Sequence, residues 1–280
     1  MQLINTKKEL QSYLSSLAKS KTIGLVPTMG ALHLGHISLV KKSVSENDVT
    51  IVSIFVNPTQ FNNKEDLDKY PDTLEADKSL LKAVSDEIIV FAPSAPEMYA
   101  GGIITKTYDF EGLENVMEGE FREGHFDGVG TIVEKLLRLT TPTSAYFGEK
   151  DFQQLQIIKK LVKITNLPIK IIGCPIVRES NGLAMSSRNE RLPKELRQEA
   201  SHIYKTLKTA KQKFGTKSAN FVMEWVENEF KTYPNLKLEY IKIADVNQLK
   251  PVIRKNKNLK YRAFIAVYAG EVRLIDNIAL

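Results

Sequence analysis

Near-continuous apolar runs, each followed by a segment of helical spacing, dominate the chain as far as residue 177. TIGLVPT (22–28) leads into a helical stretch over 35–45, and VTIVSIFVN (49–57) precedes a polar loop and then TLEADKSLLKAV (73–84). EIIVFAP (87–93) follows; farther on, TIVEKLLRL (131–139) and DFQQLQIIKKLVKIT (151–165) have helical periodicity. SAYFG (144–148) and IKIIGCPIV (169–177) are strand-like. A strand wetted on one face alternates apolar with polar residues. These runs do not alternate, so both faces are covered, as in a parallel sheet wound on both sides by helices.

The pattern changes after about residue 180. Helical stretches near 194–214 and 217–231 precede strand-like runs at 237–246, 261–270 and 271–278, the last two flanking Gly270 as a hairpin does. Helices followed by antiparallel strands predict a smaller α+β domain. The expected division is therefore 1–178 and 179–280, with the boundary between roughly 176 and 186. At the other end, MQLINTKKELQSYL reads as a strand entering a polar helix, and Thr6 and Glu9 have capping-box spacing.

Composition narrows the class. With 42% apolar and 26% charged residues the chain resembles an ordinary soluble globular protein. No apolar stretch approaches the roughly 18 residues that span a bilayer, and the N-terminus lacks a signal-like apolar core, so a cytoplasmic location and no membrane partner are expected. Cys174 is the single cysteine, which excludes an intramolecular disulfide and a cysteine-based zinc site. The net charge of +6 comes from lysines scattered among acids and helix formers, as in KELRQEA and IRKNKNLKYR. A solvated basic surface explains them better than a nucleic-acid site, and an anionic small-molecule substrate explains any functional bias equally well.

PTMGALHLGH (27–36) follows the apolar run 22–28 directly. In a parallel α/β sheet, ligands bind beyond the carboxyl ends of the strands. The helix expected from about Gly35 presents free N–H groups and a positive dipole end there, a ready anion site. His33 and His36 are then placed to donate to phosphate oxygens as a leaving group gains charge. On its own the H-x-G-H tetrad reads equally as a turn that carries two imidazoles.

Other segments sit in matching places. Asn57 and Gln60 follow the second run in FVNPTQF, suited to hydroxyls and carboxylates or simply to a turn. In YFGEKDFQQLQ (146–156), Lys150 can neutralise phosphate, with Asp151 and Gln154 one helical step apart; a capping Asp151 and a solvated Lys150 are the alternative. GLAMSSRNERL (182–192) offers two hydroxyls and Arg188, a polyphosphate loop or an ordinary linker at the domain boundary. GEFREGHFDGVGT (119–131) brings Arg122, a candidate substrate contact, near His125, which supports either fold or chemistry. His202 reads as structural.

Together, PTMGALHLGH, FVNPTQF, REGHFDGV, YFGEKDFQQL and MSSRN, in this order, make the chain resemble the pantothenate synthetase (pantoate–β-alanine ligase) family. That family belongs to the nucleotidyltransferases with an HIGH-type motif, here His33-Leu34-Gly35-His36, and a KMSKS-like loop, here Met185-Ser186-Ser187-Arg188. The resemblance implies a Rossmann-like N-terminal domain, a smaller C-terminal lid domain and a homodimer. It implies a reaction in which pantoate attacks the α-phosphate of ATP, with Mg²⁺, and β-alanine then displaces AMP. It further implies that Met29, Gly30, Ala31, Leu32, His33, Leu34, Gly35 and His36 line the ATP site, with Gly148, Glu149, Lys150, Asp151, Val177, Met185, Ser186, Ser187 and Arg188. His36 is the implied proton donor, with His33, Lys150 and Arg188 as further catalytic groups. Gln60 and Gln154 are implied for pantoate, Gln60 also for β-alanine, and Asn57, Tyr70, Glu118 and Arg122 for supporting roles.

The chain departs from the family pattern in three places. Asp72 stands where Arg is common, which bears on the loop and on any metal contact near Asp77. FNNKEDL after Gln60 lacks the usual Gly-Pro, and Gly130 replaces an alanine. The metal ligands are left open. Another nucleotidyltransferase, which would release a nucleotide-bearing product, is the near rival; a basic RNA-binding protein is the distant one.

Overall fold

The computed structural model describes residues 1–61, 67, 68 and 70–280. Its larger sheet is parallel and contains β1 (Gln2–Ile4), β2 (Ile23–Thr28), β3 (Val49–Ile54), β4 (Ile89–Phe91), β5 (Ser144–Gly148) and β6 (Lys170–Cys174). The spatial order is β1-β4-β3-β2-β5-β6. From β2 the chain winds outward through β3 and β4, then returns to place β5 on the other side of β2. Doubly wound folds bind ligands beyond the carboxyl ends of the strands at such a reversal.

The helices follow from local sequence. α1 (Lys7–Ser16) opens with the expected capping box: Glu9 N donates to Thr6 Oγ1 at 3.2 Å, and Thr6 N donates to a Glu9 carboxylate oxygen at 3.1 Å. α2 (Leu34–Glu46) and α3 (Leu74–Lys82) pack Leu39, Val40 and Leu81 against Val26, Val52 and Val90 of the strands. Each such side chain contributes about 1.5–3 kcal/mol when fully buried, so the sheet rather than intrinsic propensity holds these helices. α4 (His125–Thr140) and α5 (Phe152–Ile164) complete this part.

The chain divides into two compact units, Met1–Glu149 with Gln154–Pro175, and Lys150–Gln153 with Ile176–Leu280. In the second, α6 (His202–Phe214) and α7 (Ala219–Phe230) cover an antiparallel sheet of β7 (Leu236–Asp245), β8 (Tyr261–Ala269) and β9 (Val272–Ala279). Ile203, Leu207, Val222, Val226, Ile241 and Ile265 are among its buried core. Gly270 makes the β8–β9 turn at φ 55°, a conformation open to glycine.

Three elements differ from the sequence expectation. The helix placed at 131–139 starts at His125, because Gly128 and Gly130 lie inside it. The stretch 194–214 is interrupted between Lys194–Glu199 and His202–Phe214. There Ser201 N and Ile203 N bond three residues back, to Gln198 O and Ala200 O, while the backbone stays right-handed. β6 stops at Cys174 because Pro175 has no N–H to continue the ladder.

Candidate active site

The turn after β2 is built from left-handed backbone and one buried carboxylate. Gly30 has φ 81° and Ala31 φ 49°, the second unusual for a residue with a side chain. Asp77 of α3, 2% exposed, holds the turn: Leu32 N donates to Oδ1 at 2.7 Å and Ala31 N to Oδ2 at 3.0 Å. Thr73 Oγ1 adds a bond at 3.3 Å. Burial pushes the Asp77 carboxyl above its ordinary value; the donors from Leu32, Thr73 and Ala31 pull the other way, and the Asp72 charge raises it further. The departure at Asp72 therefore acts on this carboxylate. Both Asp77 oxygens accept hydrogen bonds from the backbone of the turn, so the carboxylate anchors the loop.

His33 caps α2, its Nδ1 accepting from Gly35 N at 3.1 Å. His36 Nδ1 accepts from His33 N at 3.4 Å, closing a reciprocal box in which imidazoles replace the usual hydroxyl and carboxylate. Backbone N–H groups only donate, so each Nδ1 is the bare nitrogen and each neutral ring carries its proton on Nε2. The rings stack at 4.0 Å with 30° between planes, both half-buried. Two Nε2–H donors therefore accompany the backbone N–H groups at the start of α2.

The turn after β3 is bolted to α4. Asn57 is 1% exposed; its amide donates to Thr59 Oγ1 and Gly128 O at 2.9 and 3.3 Å, and its oxygen accepts from Tyr99 Oη at 2.5 Å. A Cβ on Gly128 would lie 2.1 Å from Thr59 O, so glycine is what lets the helix approach. Asn57 thus shapes the turn, while Gln60 ends it half-buried. Arg122 Nη2 donates to Gln60 O at 2.9 Å, and Glu118 lies 4.0 Å from Arg122. Tyr70 meets Phe61 edge-on with ring centroids 5.7 Å apart. Of the altered FNNKEDL stretch, residues 62–66 lie outside the described residues.

β5 ends at Gly148, and a 3-10 turn Glu149–Asp151 precedes α5. Gln154 lies in the first turn of α5, half-buried. Lys150 Nζ is 3.3 Å from Asp151 Oδ1, and Lys150 O accepts from Asn277 Nδ2 of β9 at 2.8 Å. Arg262 in turn donates to Asn277 Oδ1.

The segment from Val177 is a small hairpin: Met185 N donates to Val177 O at 3.0 Å and Glu179 N to Leu183 O at 2.8 Å. Arg178 forms a two-pronged pair with Asp276 at 2.6 and 3.0 Å, and Glu179 gathers Asn189 and Arg197. Ser186 caps the turn Ser187–Arg191. These anchors leave Met185, Ser186, Ser187 and Arg188 half-exposed. His202 stacks on Tyr233 at 3.7 Å, and burial lowers its pKa, in keeping with a structural role.

Sequence reasoning missed the work of Asp77, although an acid between Leu74 and Leu81 on the apolar stripe of α3 was a signal. It also missed Tyr99 and Gly128, whose partners lie 42 and 71 residues away from them in Asn57.

Comparison with known proteins agrees with this architecture. A family model described as Pantoate-beta-alanine ligase matches residues 2–279. The pantothenate synthetase of Christiangramia forsetii is 56% identical, over 100% of this chain and 99% of its own. That of Flavobacterium psychrophilum is 55% identical over 100% of both. The crystal structure of pantothenate synthetase from Thermus thermophilus superposes with TM-score 0.91 at 37% identity, covering 99% of each chain. The pantoate-beta-alanine ligase from Francisella tularensis, solved with beta-gamma ATP and β-alanine, gives 0.84 at 41%, covering 100% of this chain and 97% of that one. On a match that runs nearly end to end, the chain belongs to the pantoate-beta-alanine ligase family.

Proposed function

We propose that the chain carries out its family's reaction, the ATP-dependent ligation of pantoate to β-alanine, through a pantoyl adenylate. A pantoate carboxylate oxygen bonds to the α-phosphorus as the bond to the bridging oxygen of pyrophosphate breaks. The β-alanine amine then attacks the acyl carbon, and AMP departs with the acyl C–O bond pair while the amine loses a proton. The observation that carries this reading is the pair of Nε2–H donors of His33 and His36 at the N-terminus of α2. Donors held there by the backbone meet the charge that grows on departing pyrophosphate, and need no reorganisation when it does.

In this reading Met29, Gly30, Ala31, Leu32, Leu34 and Gly35 line the nucleotide site with the two histidines, and His36 is the proton donor. Gly148, Glu149, Asp151, Val177 and the Met185–Ser186–Ser187 stretch complete it, while Lys150 and Arg188 neutralise phosphate charge. Gln60 and Gln154 hold pantoate, and Gln60 also meets β-alanine. The second unit acts as a lid that keeps water from the adenylate. We place the enzyme in the cytoplasm as a homodimer, to be checked by its mass in solution.

ATP enters with Mg²⁺. Among the described residues no group of three or more His, Cys, Asp or Glu is arranged to hold a metal ion. Magnesium is commonly held by substrate phosphates with one or two carboxylates and water, and in this reading it arrives on ATP and offsets phosphate charge there.

The test is pyrophosphate release. With ATP and pantoate alone, a burst equal to the enzyme concentration is expected; AMP and pantothenate appear when β-alanine is added. A final product that still carries the nucleotide would favour a nucleotidyltransferase instead, and release that requires β-alanine from the first turnover would remove the adenylate.

A further inference from the structure

Gln60 O accepts two hydrogen bonds from side chains far along the chain. Arg122 Nη2 reaches it at 2.9 Å and His125 Nδ1 at 3.2 Å. The same two residues touch each other, Arg122 Nη1 lying 3.1 Å from His125 Nε2. These contacts settle the protons. A guanidinium has only donors and a carbonyl only lone pairs. Nε2 must therefore accept from Arg122, and Nδ1 must carry the hydrogen that faces Gln60 O. An imidazolium would aim a second N–H into the guanidinium, so the ring is neutral.

The imidazole is buried, while the Arg122 side chain keeps some exposure. His125 is 7% exposed and packs on Phe126, with ring centroids 5.0 Å apart. Glu118 stands 4.0 Å from Arg122. One turn along α4, Gly128 O accepts from Asn57 and Thr59 of the same Gln60-bearing turn.

We propose that Arg122 and His125 are positioning residues for Gln60, the arginine selecting the Nδ1–H tautomer of His125 so that both donate to the Gln60 carbonyl. This rests on the reading of Gln60 as a pantoate ligand. With its backbone held from one side, the Gln60 side chain meets the substrate without first ordering its own peptide, and the ordering cost is removed from binding.

Two-bond ¹H–¹⁵N spectra of the wild-type protein, taken at mildly alkaline pH, report the His125 tautomer directly. A neutral Nδ1–H ring is expected; an Nε2–H ring or an imidazolium overturns the proposal without any variant having to fold. His125→Leu should raise the KM for pantoate by about 5–20-fold, the loss of one buried bond to a carbonyl, while the KM for ATP stays within about twofold. His125→Asn, which keeps a donor near the Nδ1 position, should restore most of the pantoate affinity. Equal damage by Leu and Asn, or equal loss for ATP and pantoate, would make the role general support of the fold and sink the proposal. Gln60→Ala separates the two ideas. If it leaves pantoate use intact, the ligand reading fails; if it impairs pantoate use and His125→Leu does not, the positioning idea alone fails.

Discussion

Replacing Asp77 by asparagine keeps the shape of the loop anchor and removes half of its accepting power. The carboxylate takes Leu32 N on one oxygen and Ala31 N on the other, at 2.7 and 3.0 Å. An amide has one oxygen, so in either orientation its NH₂ faces one of the two N–H donors. Losing a charge-assisted bond and stranding a buried donor costs about 1.5–3 kcal/mol. Relief of the burial cost that pushes the Asp77 carboxyl upward returns part of this, leaving about 1–2 kcal/mol. The loss falls on the Gly30–Ala31 turn, whose left-handed backbone has least reason to persist without it. If the turn must be re-formed to bind nucleotide, ATP affinity should fall by about 5–30-fold. Denaturant titration reads the stability and calorimetry the ATP affinity. An Asp77→Asn protein within about 0.5 kcal/mol of wild type and with unchanged ATP affinity would refute the anchor.

His36→Ala should lower the pyrophosphate burst rate on the order of 10²–10³, and near wild-type turnover would remove its assigned role. Gly130→Ala gains about 1 kcal/mol of helix propensity, but the new methyl would meet Tyr108 ring carbons at 2.9 and 3.0 Å and Phe110 at 3.2 Å. Overpacking of this kind costs about 1–3 kcal/mol, so thermal unfolding should show a net loss and a stabilised variant would refute it. Burial raises the Glu134 carboxyl, but bonds from Tyr108, Lys106 and Arg138 outweigh it and hold it at about 2, against 4.5 unperturbed. A depressed folded value contributes stability above pH 4.5 that is lost as pH falls through about 2. Glu134→Gln should flatten acid unfolding across that window, and an unchanged acid limb would count against it.

The sheet was legible because its strands are buried on both faces: TIGLVPT and VTIVSIFVN could hardly belong to a half-wetted strand. The Thr6–Glu9 box and the turn at Gly270 were legible because their partners are local. The extent of α4 was not, since Gly128 and Gly130 read as loop until Thr59 and Tyr108 are seen pressing where a Cβ would stand. The HIGH-type turn was recognisable as a motif. What props it up was not, because Asp77 reaches back 46 residues to Ala31 and the sequence of α3 marks it only as an acid on an apolar stripe. From sequence alone Asn57 suits either a substrate or a turn. Its amide proves committed to Thr59, Gly128 and Tyr99, a commitment formed only in three dimensions.

The bond from Asn277 to the Lys150 carbonyl spans 127 residues of chain. A ribosome adding about 5–20 residues per second reaches Asn277 about 6–25 s after Lys150. By then the turn of Gly30 and Ala31, α2 and the carboxylate of Asp77 have all been synthesised, with every hydrogen-bond partner described above for that turn already in hand. The histidine box can therefore form while the chain is still growing, and the backbone of Lys150 receives its donor only near the end of synthesis. During that interval the turn that opens α2 is fully supplied with partners while the backbone of Lys150 still lacks one.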